Sequence, residues 1–393
     1  MIITKRDHRD YFEYSVYRPK GIIMLRQRVL ASINALLTPA LDQLPRLDRD
    51  AIATAADVHL QTVGTPETLV YTPPQTIHKT LPPAFAQMIG QSWTFPAPAI
   101  LTVDNATLLG RDAVVMTSAG NLLMASLYDH LPYLETVQYQ RLSRTQTPRE
   151  MWHSLTHTPT FDRIATAVML YSAGYFHWMM EQLPRLWLLR EYDPHLPLLM
   201  PPQAPAWMHE TLSLLGLTGT RIDWTYTRAQ AKTLVYPTPI HGTGIPSPRL
   251  LRAISQHMKT HIAPTRTFAT PRIYISRRHD ARRRVVNEAE ILPQLQARGF
   301  VAYDLRDLTF SEQVQLFDQA EIIVGAHGAG FVNAMHSTDT TLIEFFEPTY
   351  LNTCYYRLAC GMGFGYGVLI GQSADEHIYV PPTALEQILA RFD

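Results

Sequence analysis

The chain has 393 residues, and its 34 Lys and Arg balance 34 Asp and Glu. Zero formal charge argues against a dedicated nucleic-acid binder, which carries a basic excess. With 46% hydrophobic and 17% charged residues the chain is no disordered polyelectrolyte, and its length suits two domains of roughly 100–200 residues each.

Residues 1–95 are poorly patterned: one helix is expected over 20–37 and an extended loop over 62–83. The charged N-terminus lacks a signal-peptide core. Residues 97–126 hold short β-rich runs separated by Asp104-Asn105, Gly110 and Gly120-Asn121, which predicts a meander or hairpins. The uncharged stretch 164–180 contains Thr166, Ser172, Gly174 and His177 and reads as buried core rather than a membrane span. A long helix is expected over 175–192, interrupted at Pro184. A strand over 196–200, a helix over 206–215 closed by Gly216, and strands over 221–225 and 233–236 follow.

The 29 prolines cluster at boundaries, and the run 237–248 reads as a hinge. Beyond it Ser247 is placed to cap a helix reaching His261. Strands over 272–276, 300–303, 321–324 and 341–345 then alternate with helices over 288–298 and 309–320. Gly299 closes the first of these helices, and Thr309-x-x-Glu312 opens the second with capping-box spacing. A last helix lies within 376–391. Apolar strands alternating with helices predict an α/β fold with a parallel sheet covered on both faces. The two cysteines, Cys354 and Cys360, are too few for a disulfide framework or a zinc ribbon and fit a reducing compartment.

Ligands of such sheets bind beyond the carboxyl ends of the strands. After the strand ending at Ser276 come five arginines in eight residues, Arg277, Arg278, Arg282, Arg283 and Arg284. Guanidinium forks match phosphate oxygens, and Asn287 stands where the next helix begins; a solvated basic loop is the plain alternative. The second candidate is Gly325-Ala-His-Gly-Ala-Gly330-Phe-Val-Asn333, a glycine turn opening a helix whose amides suit phosphate or sugar oxygens. It lacks the P-loop Lys and the dinucleotide spacing. His327 within it either donates to a phosphate or merely steadies the loop. Glu344, near the end of the next strand, is placed like the acids that accept ribose hydroxyls. His177 and Glu181, spaced i, i+4 among aromatic and Met residues, share a helix face. Either is a candidate general base, with the Glu181 pKa raised by apolar surroundings; a structural pair in the core is the alternative. Asp48-Arg-Asp50 spells D-x-D without a preceding strand and reads as chance.

Taken in order, Tyr175-Phe-His-Trp-x3-Gln-Leu-Pro-Arg-Leu, Ile275-Ser-Arg277, Arg283-Arg-Val-Val-Asn-Glu288, Phe310-Ser-Glu-Gln313-Val with Phe317, Val324-Gly-Ala-His-Gly-Ala-Gly330-x-x-Asn333 and Ile343-Glu344 resemble family 61 of the glycosyltransferases, in particular its bacterial capsular-polysaccharide type. The resemblance implies a GT-B-like fold: two Rossmann-like domains facing across a cleft, with a C-terminal helix returning to the first. It divides the chain into an acceptor-side domain over 1–243, with 1–95 an unassigned extension, a nucleotide-sugar domain over 244–375, and the returning helix within 376–393. It implies an inverting enzyme without metal or other cofactor that takes a nucleotide sugar, UDP-linked, as donor. A glycan or glycolipid would be the acceptor, and the protein would be cytoplasmic, peripheral at the inner membrane face. Carried over, Arg277, Arg283 or Arg284, Asn287, His327, Gly328, Ala329, Gly330, Asn333 and Glu344 would bind the donor. The loop 305–310 would border ribose and base, and His177 and Glu181 would face the acceptor. A nucleotide-sugar 2-epimerase and a non-catalytic glycan- or nucleotide-binding protein are the alternatives on the same architecture.

Overall fold

The computed structural model describes residues 45–127, 158–238 and 247–392. The helix expected over 20–37 and most of the proline-rich run lie outside the described residues.

Six parallel strands form one sheet, in the order Val301–Tyr303, Arg272–Ile275, Ile322–Ala326, Thr341–Phe346, Gly365–Ile370 and Gln75–Thr76. Numbered by chain position, the first five run 2-1-3-4-5, the doubly wound order whose switch point lies between Arg272–Ile275 and Ile322–Ala326. The expected αβ alternation is therefore present. The strands read as unbroken apolar runs because both faces are buried. Ile273, Ile275, Ile323, Leu342, Phe346 and Val368 enter one core, while Tyr274, Val324, Ile343, Phe345 and Leu369 enter another.

The other sheet is mixed. Among the described residues it has nine strands, of which Arg228–Pro237, Thr160–Thr166, Leu198–Met200 and Arg221–Asp223 run parallel side by side. Ala99–Leu109 joins Arg228–Pro237 antiparallel and also carries Val58–Thr62 and Val114–Met116. The meander expected over 97–126 is thus real, but Ala99–Leu109 runs unbroken past Asp104-Asn105, with Asn105 at φ 50°. This sheet too is two-faced: Ile100, Ala165, Leu198 and Val235 enter the core it shares with the six-stranded sheet, and Leu101, Ile164, Leu199 and Leu234 face outward into a separate one.

The shared core lies between the sheets and is filled by the helices Leu183–Tyr192, Pro248–His261, Phe310–Asp318 and Cys354–Met362. At about 25 cal/mol per Å² of apolar surface removed from water, this layer is the main cohesive term between the two sheets.

Two expectations need correction. The terminal helix Pro382–Leu389 does not return to the first sheet. Its Leu385, Ile388 and Leu389 pack with Ile291 and Leu295 on the outer face of the six-stranded sheet. Residues 45–95 are also not an extension apart from the fold. Val58–Thr62 joins the mixed sheet, Gln75–Thr76 pairs with Gly367 and Val368 of the other, and Phe85 packs edge-on against Phe346 and Tyr356.

Caps show how the helices are set. Thr309 Oγ1 accepts from the Glu312 amide at 3.2 Å and Glu312 Oε2 accepts from the Thr309 amide at 2.8 Å, completing the expected box. Ser247 holds the N-cap position of Pro248–His261, but its hydroxyl donates to Glu67 Oε2 at 2.8 Å; the cap is Glu67, whose Oε1 accepts from the Arg249 amide at 3.0 Å. Asp48 Oδ1 accepts from the Ala51 amide at 2.8 Å and caps the one-turn helix Arg49–Ile52, which gives that D-x-D a structural purpose.

Candidate functional site

At the switch point the strand Arg272–Ile275 delivers Ser276 and Arg277. Ser276 Oγ and Tyr274 Oη donate to the Glu288 carboxylate at 2.8 and 2.9 Å, which fixes the start of the arginine loop. The Arg277 side chain is only 13% exposed; its Nη2 lies 2.9 Å from Asp280 Oδ2 and donates to the Arg282 carbonyl at 3.2 Å. Arg283 has φ 56°, donates its amide to the Glu376 carbonyl at 2.9 Å, and lays its guanidinium 4.7 Å over the Tyr350 ring. The Nε groups of Arg277 and Arg283 are both buried and meet no acceptor among the described residues. A buried guanidinium N–H without a partner costs roughly 1–3 kcal/mol, a cost that an anion seated there would relieve.

The remaining arginines point elsewhere. Arg284 Nη2 donates to His377 at 2.9 Å, Arg282 reaches Glu376, and Arg278 contacts His279. Asn287 stands at the N-cap position of Glu288–Ala297, but its side chain makes no cap bond. It exchanges hydrogen bonds with the Val380 backbone at 2.8 and 3.0 Å. Arg284 and Asn287 thus hold the hairpin Gln372–Ala374/His377–Tyr379 against the sheet, so the structure does not bring them to the anion seat.

The glycine turn lies directly against Arg277. A Cβ on Gly328 would stand 1.5 Å from Arg277 Nη1, and one on Gly330 would stand 2.6 Å from Leu305 Cδ1. Only glycine admits the guanidinium and the Leu305 loop so close to the backbone. Arg277, Ala329 and Gly330 line a cleft of about 560 Å³ whose other walls are Leu305, Thr309 and Gln313 from one sheet's connections and Tyr175, Trp207 and Glu210 from the other's. The expected loop 305–310 is therefore part of this cleft.

Asn333 and Glu344, expected to touch a donor, are committed to the protein itself. Asn333 is fully buried: its Oδ1 accepts from Tyr175 Oη at 2.5 Å and its Nδ2 donates to Gln313 Oε1 at 2.7 Å. Gln313 in turn donates to the Leu305 and Leu308 carbonyls at 2.9 and 3.2 Å. Glu344, also fully buried, sits behind the turn and pairs with His327 Nδ1 and Tyr366 Oη. Both residues shape the site without presenting a free polar group to it.

His177 and Glu181 lie on a helix broken by a turn of π type. Tyr175–His177 is followed by the π segment Trp178–Gln182 and then Leu183–Tyr192, with Pro184 in its first turn. Proline has no N–H to give the preceding turn, and a π turn accommodates that loss without ending the helix. His177 Nδ1 lies 3.1 Å from Glu181 Oε2, so the i, i+4 pair is made. Arg185, on the same helix, is buried; it donates from Nε to the Pro237 carbonyl at 2.9 Å and from Nη1 to Gln182 at 2.6 Å. His177 opens on a second cleft, about 670 Å³, lined also by Arg111, Tyr171, Pro201, Trp224 and Tyr226. Tyr171 holds φ 63°, a costly geometry for an aromatic residue, and its ring lies 5.2 Å from that of His177. A run of edge-on and tilted rings leads from the second cleft to the glycine turn: His177 to Phe176, Phe176 to Tyr355 at 5.7 Å, and Tyr355 to His327 at 5.4 Å.

The switch point of the parallel sheet thus carries two arginines and a glycine turn, with buried guanidinium N–H groups that meet no acceptor among the described residues, while the His–Glu pair opens on the second cleft. Residues 175–343 match the family described as Glycosyltransferase 61. It is similar to the EGF domain-specific O-linked N-acetylglucosamine transferases of Gallus gallus (29% identical over 145 residues, 34% of this chain and 26% of the relative) and Xenopus laevis (30% identical over 145 residues, 34% and 27%). The chain spans about a quarter of the length of these relatives. Among the described residues no helix is long and apolar enough to cross a membrane.

Proposed function

We propose that the protein is an inverting, metal-independent glycosyltransferase of GT-B type. In this reading it moves a sugar from a UDP-linked donor to a glycan or glycolipid acceptor in surface-polysaccharide synthesis, at the cytoplasmic face of a membrane. The observation that carries the reading is the pair of buried Nε groups on Arg277 and Arg283, beside the glycine turn and its His327, that meet no acceptor among the described residues. The donor diphosphate would take both, together with the amides at the start of Ala329–His336. The uridine and ribose would lie in the 560 Å³ cleft between Leu305 and Trp207.

Glycosyl transfer develops positive charge on the sugar ring and negative charge on the leaving diphosphate. Fixed guanidinium groups stabilise the latter with little reorganisation. Across the gap, His177 would receive the acceptor hydroxyl proton while Glu181 steadies the opposite ring nitrogen, and one such base on the far face of the sugar suits inversion. The names of the similar transferases make UDP-N-acetylglucosamine the first donor to try.

Calorimetry with UDP and a transfer assay on two variants test this. Arg277→Ala should weaken UDP binding about 10- to 100-fold. Glu181→Gln should keep UDP affinity and lose at least about 100-fold in transfer rate. Equal UDP affinity in Arg277→Ala and the parent chain would remove the diphosphate assignment.

A further inference from the structure

We infer that His327 takes up a proton when the donor diphosphate binds, and that Glu344 with Tyr366 is the buried seat that holds the resulting charge. This rests on the donor reading above and adds to it a proton that travels with the ligand.

The geometry fixes which atom can respond. The His327 amide donates to the Phe345 carbonyl at 2.9 Å, and the ring stacks on Phe346 with Tyr350 and Tyr355 on its other sides. Nδ1 faces Glu344 Oε1, and a carboxylate there can only accept, so Nδ1 carries a hydrogen. The second Glu344 oxygen is held by Tyr366 Oη. Nε2 makes no hydrogen bond among the described residues and is the atom left for a ligand.

The charges around the ring decide its state. Glu344 favours the cation, while Arg277 and Arg283 from the neighbouring loop oppose it. Tyr350, Tyr355 and, behind Glu344, Cys354 complete the surroundings. Burial acts most strongly, and together with the arginines it holds the His327 pKa below the ordinary histidine value. The imidazole is therefore neutral near pH 7, with a lone pair on Nε2. A diphosphate seated on Arg277 and Arg283 cancels their repulsion and adds negative charge of its own. Both changes favour the imidazolium, whose Nε2–H then donates to a phosphate oxygen. The proton comes from solvent, and Glu344 balances the cation on the far side.

The test is titration calorimetry of the full chain with UDP near pH 7.5 in buffers of different ionisation enthalpy. The parent chain should take up roughly 0.5 to 1 proton per UDP bound, and His327→Gln, which keeps an N–H donor but cannot titrate, should take up none. Proton linkage also requires the affinity of the parent chain to fall with pH, by up to about tenfold per unit between about pH 7.5 and 8.5, where the terminal phosphate of UDP is almost fully ionised. That series needs no variant and stands even where His327→Gln fails to fold. UDP binding with no proton uptake and a flat pH series would overturn the inference while leaving the donor reading intact. No binding of either UDP or inorganic pyrophosphate would overturn both.

Discussion

At the carboxyl edge of the six-stranded sheet the polar groups hold one another: Arg277 is held by Asp280, His327 by Glu344, and Asn333 by Tyr175 and Gln313. At the matching edge of the mixed sheet His177 leans on one carboxylate, Glu181, and its neighbourhood is shaped by backbone, through a π turn and the positive φ of Tyr171. The first arrangement is rigid because each side chain is fixed by a partner whose own position is fixed. The second stores its precision in strain, which the surrounding fold must pay for. On the proposed reading, the first kind suits a site that meets one invariant group, a diphosphate, and the second a site that selects among acceptors.

The sharpest way to break that contrast is Gly328→Ala. Its Cβ would fall 1.5 Å from Arg277 Nη1, and the guanidinium would have to leave its place. UDP affinity should drop about 10- to 100-fold, by calorimetry, with a melting temperature within a few degrees of the parent's. An unchanged affinity would mean that the tight arrangement is incidental.

A second test concerns the floor of the same region. His336 closes the short helix behind the glycine turn; it is fully buried, and neither ring nitrogen has a hydrogen-bond partner among the described residues. Burial, with Lys259 adding to it, lowers its pKa to about 3. The folded chain thus keeps the ring neutral where the unfolded chain binds a proton. Stability is full above the unfolded value of about 6.5 and is lost as pH falls from there toward about 3, by several kcal/mol. Urea midpoints of the parent chain should fall between about pH 7.5 and 4.5, and in His336→Leu that fall should be visibly shallower. Parallel curves would sink the assignment.

The smallest expected effect compares two helix caps. Thr309→Ala removes a cap made within one turn, and Glu67→Ala removes one supplied from a distant segment. Each should cost about 1 kcal/mol in denaturant unfolding. Only Glu67→Ala should also speed amide exchange in the antiparallel pair Glu67–Val70/Ser92–Phe95, because only that cap ties two segments together.

Legibility followed locality. The strands and helices of 272–346 were readable because each boundary is marked nearby, by Gly299, the Thr309 box or the glycine turn. The mixed sheet was hard to read because its partners are far apart, as with Val58–Thr62 on Ala99–Leu109. In the site, Arg277 and the glycine turn carried their meaning in composition. Arg283 and Arg284 could not be told apart, since the positive φ of Arg283 is what turns the two side chains to different partners. Glu344 was misread as a ribose ligand because a strand-end acid looks the same whether it opens on solvent or on a buried histidine. The hairpin holding Asn287 went unseen because its turn places Asp375 and Glu376 at positive φ, where Asn-Gly would have announced it.

The passage of the chain between the two sheets has a mechanical consequence. Near Thr65 and Pro98, and at Thr238 and Arg249 on either side of the third crossing, the chain is tied to itself. Val63 donates to the Pro98 carbonyl, Thr238 to the Ala99 carbonyl, and Arg249 to the Thr65 carbonyl. Together with the apolar layer between the sheets, they act as a spine rather than a single flexible joint. A molecule braced in this way does not work like a jaw. On the donor reading, a scattering profile should therefore scarcely change on saturation with UDP.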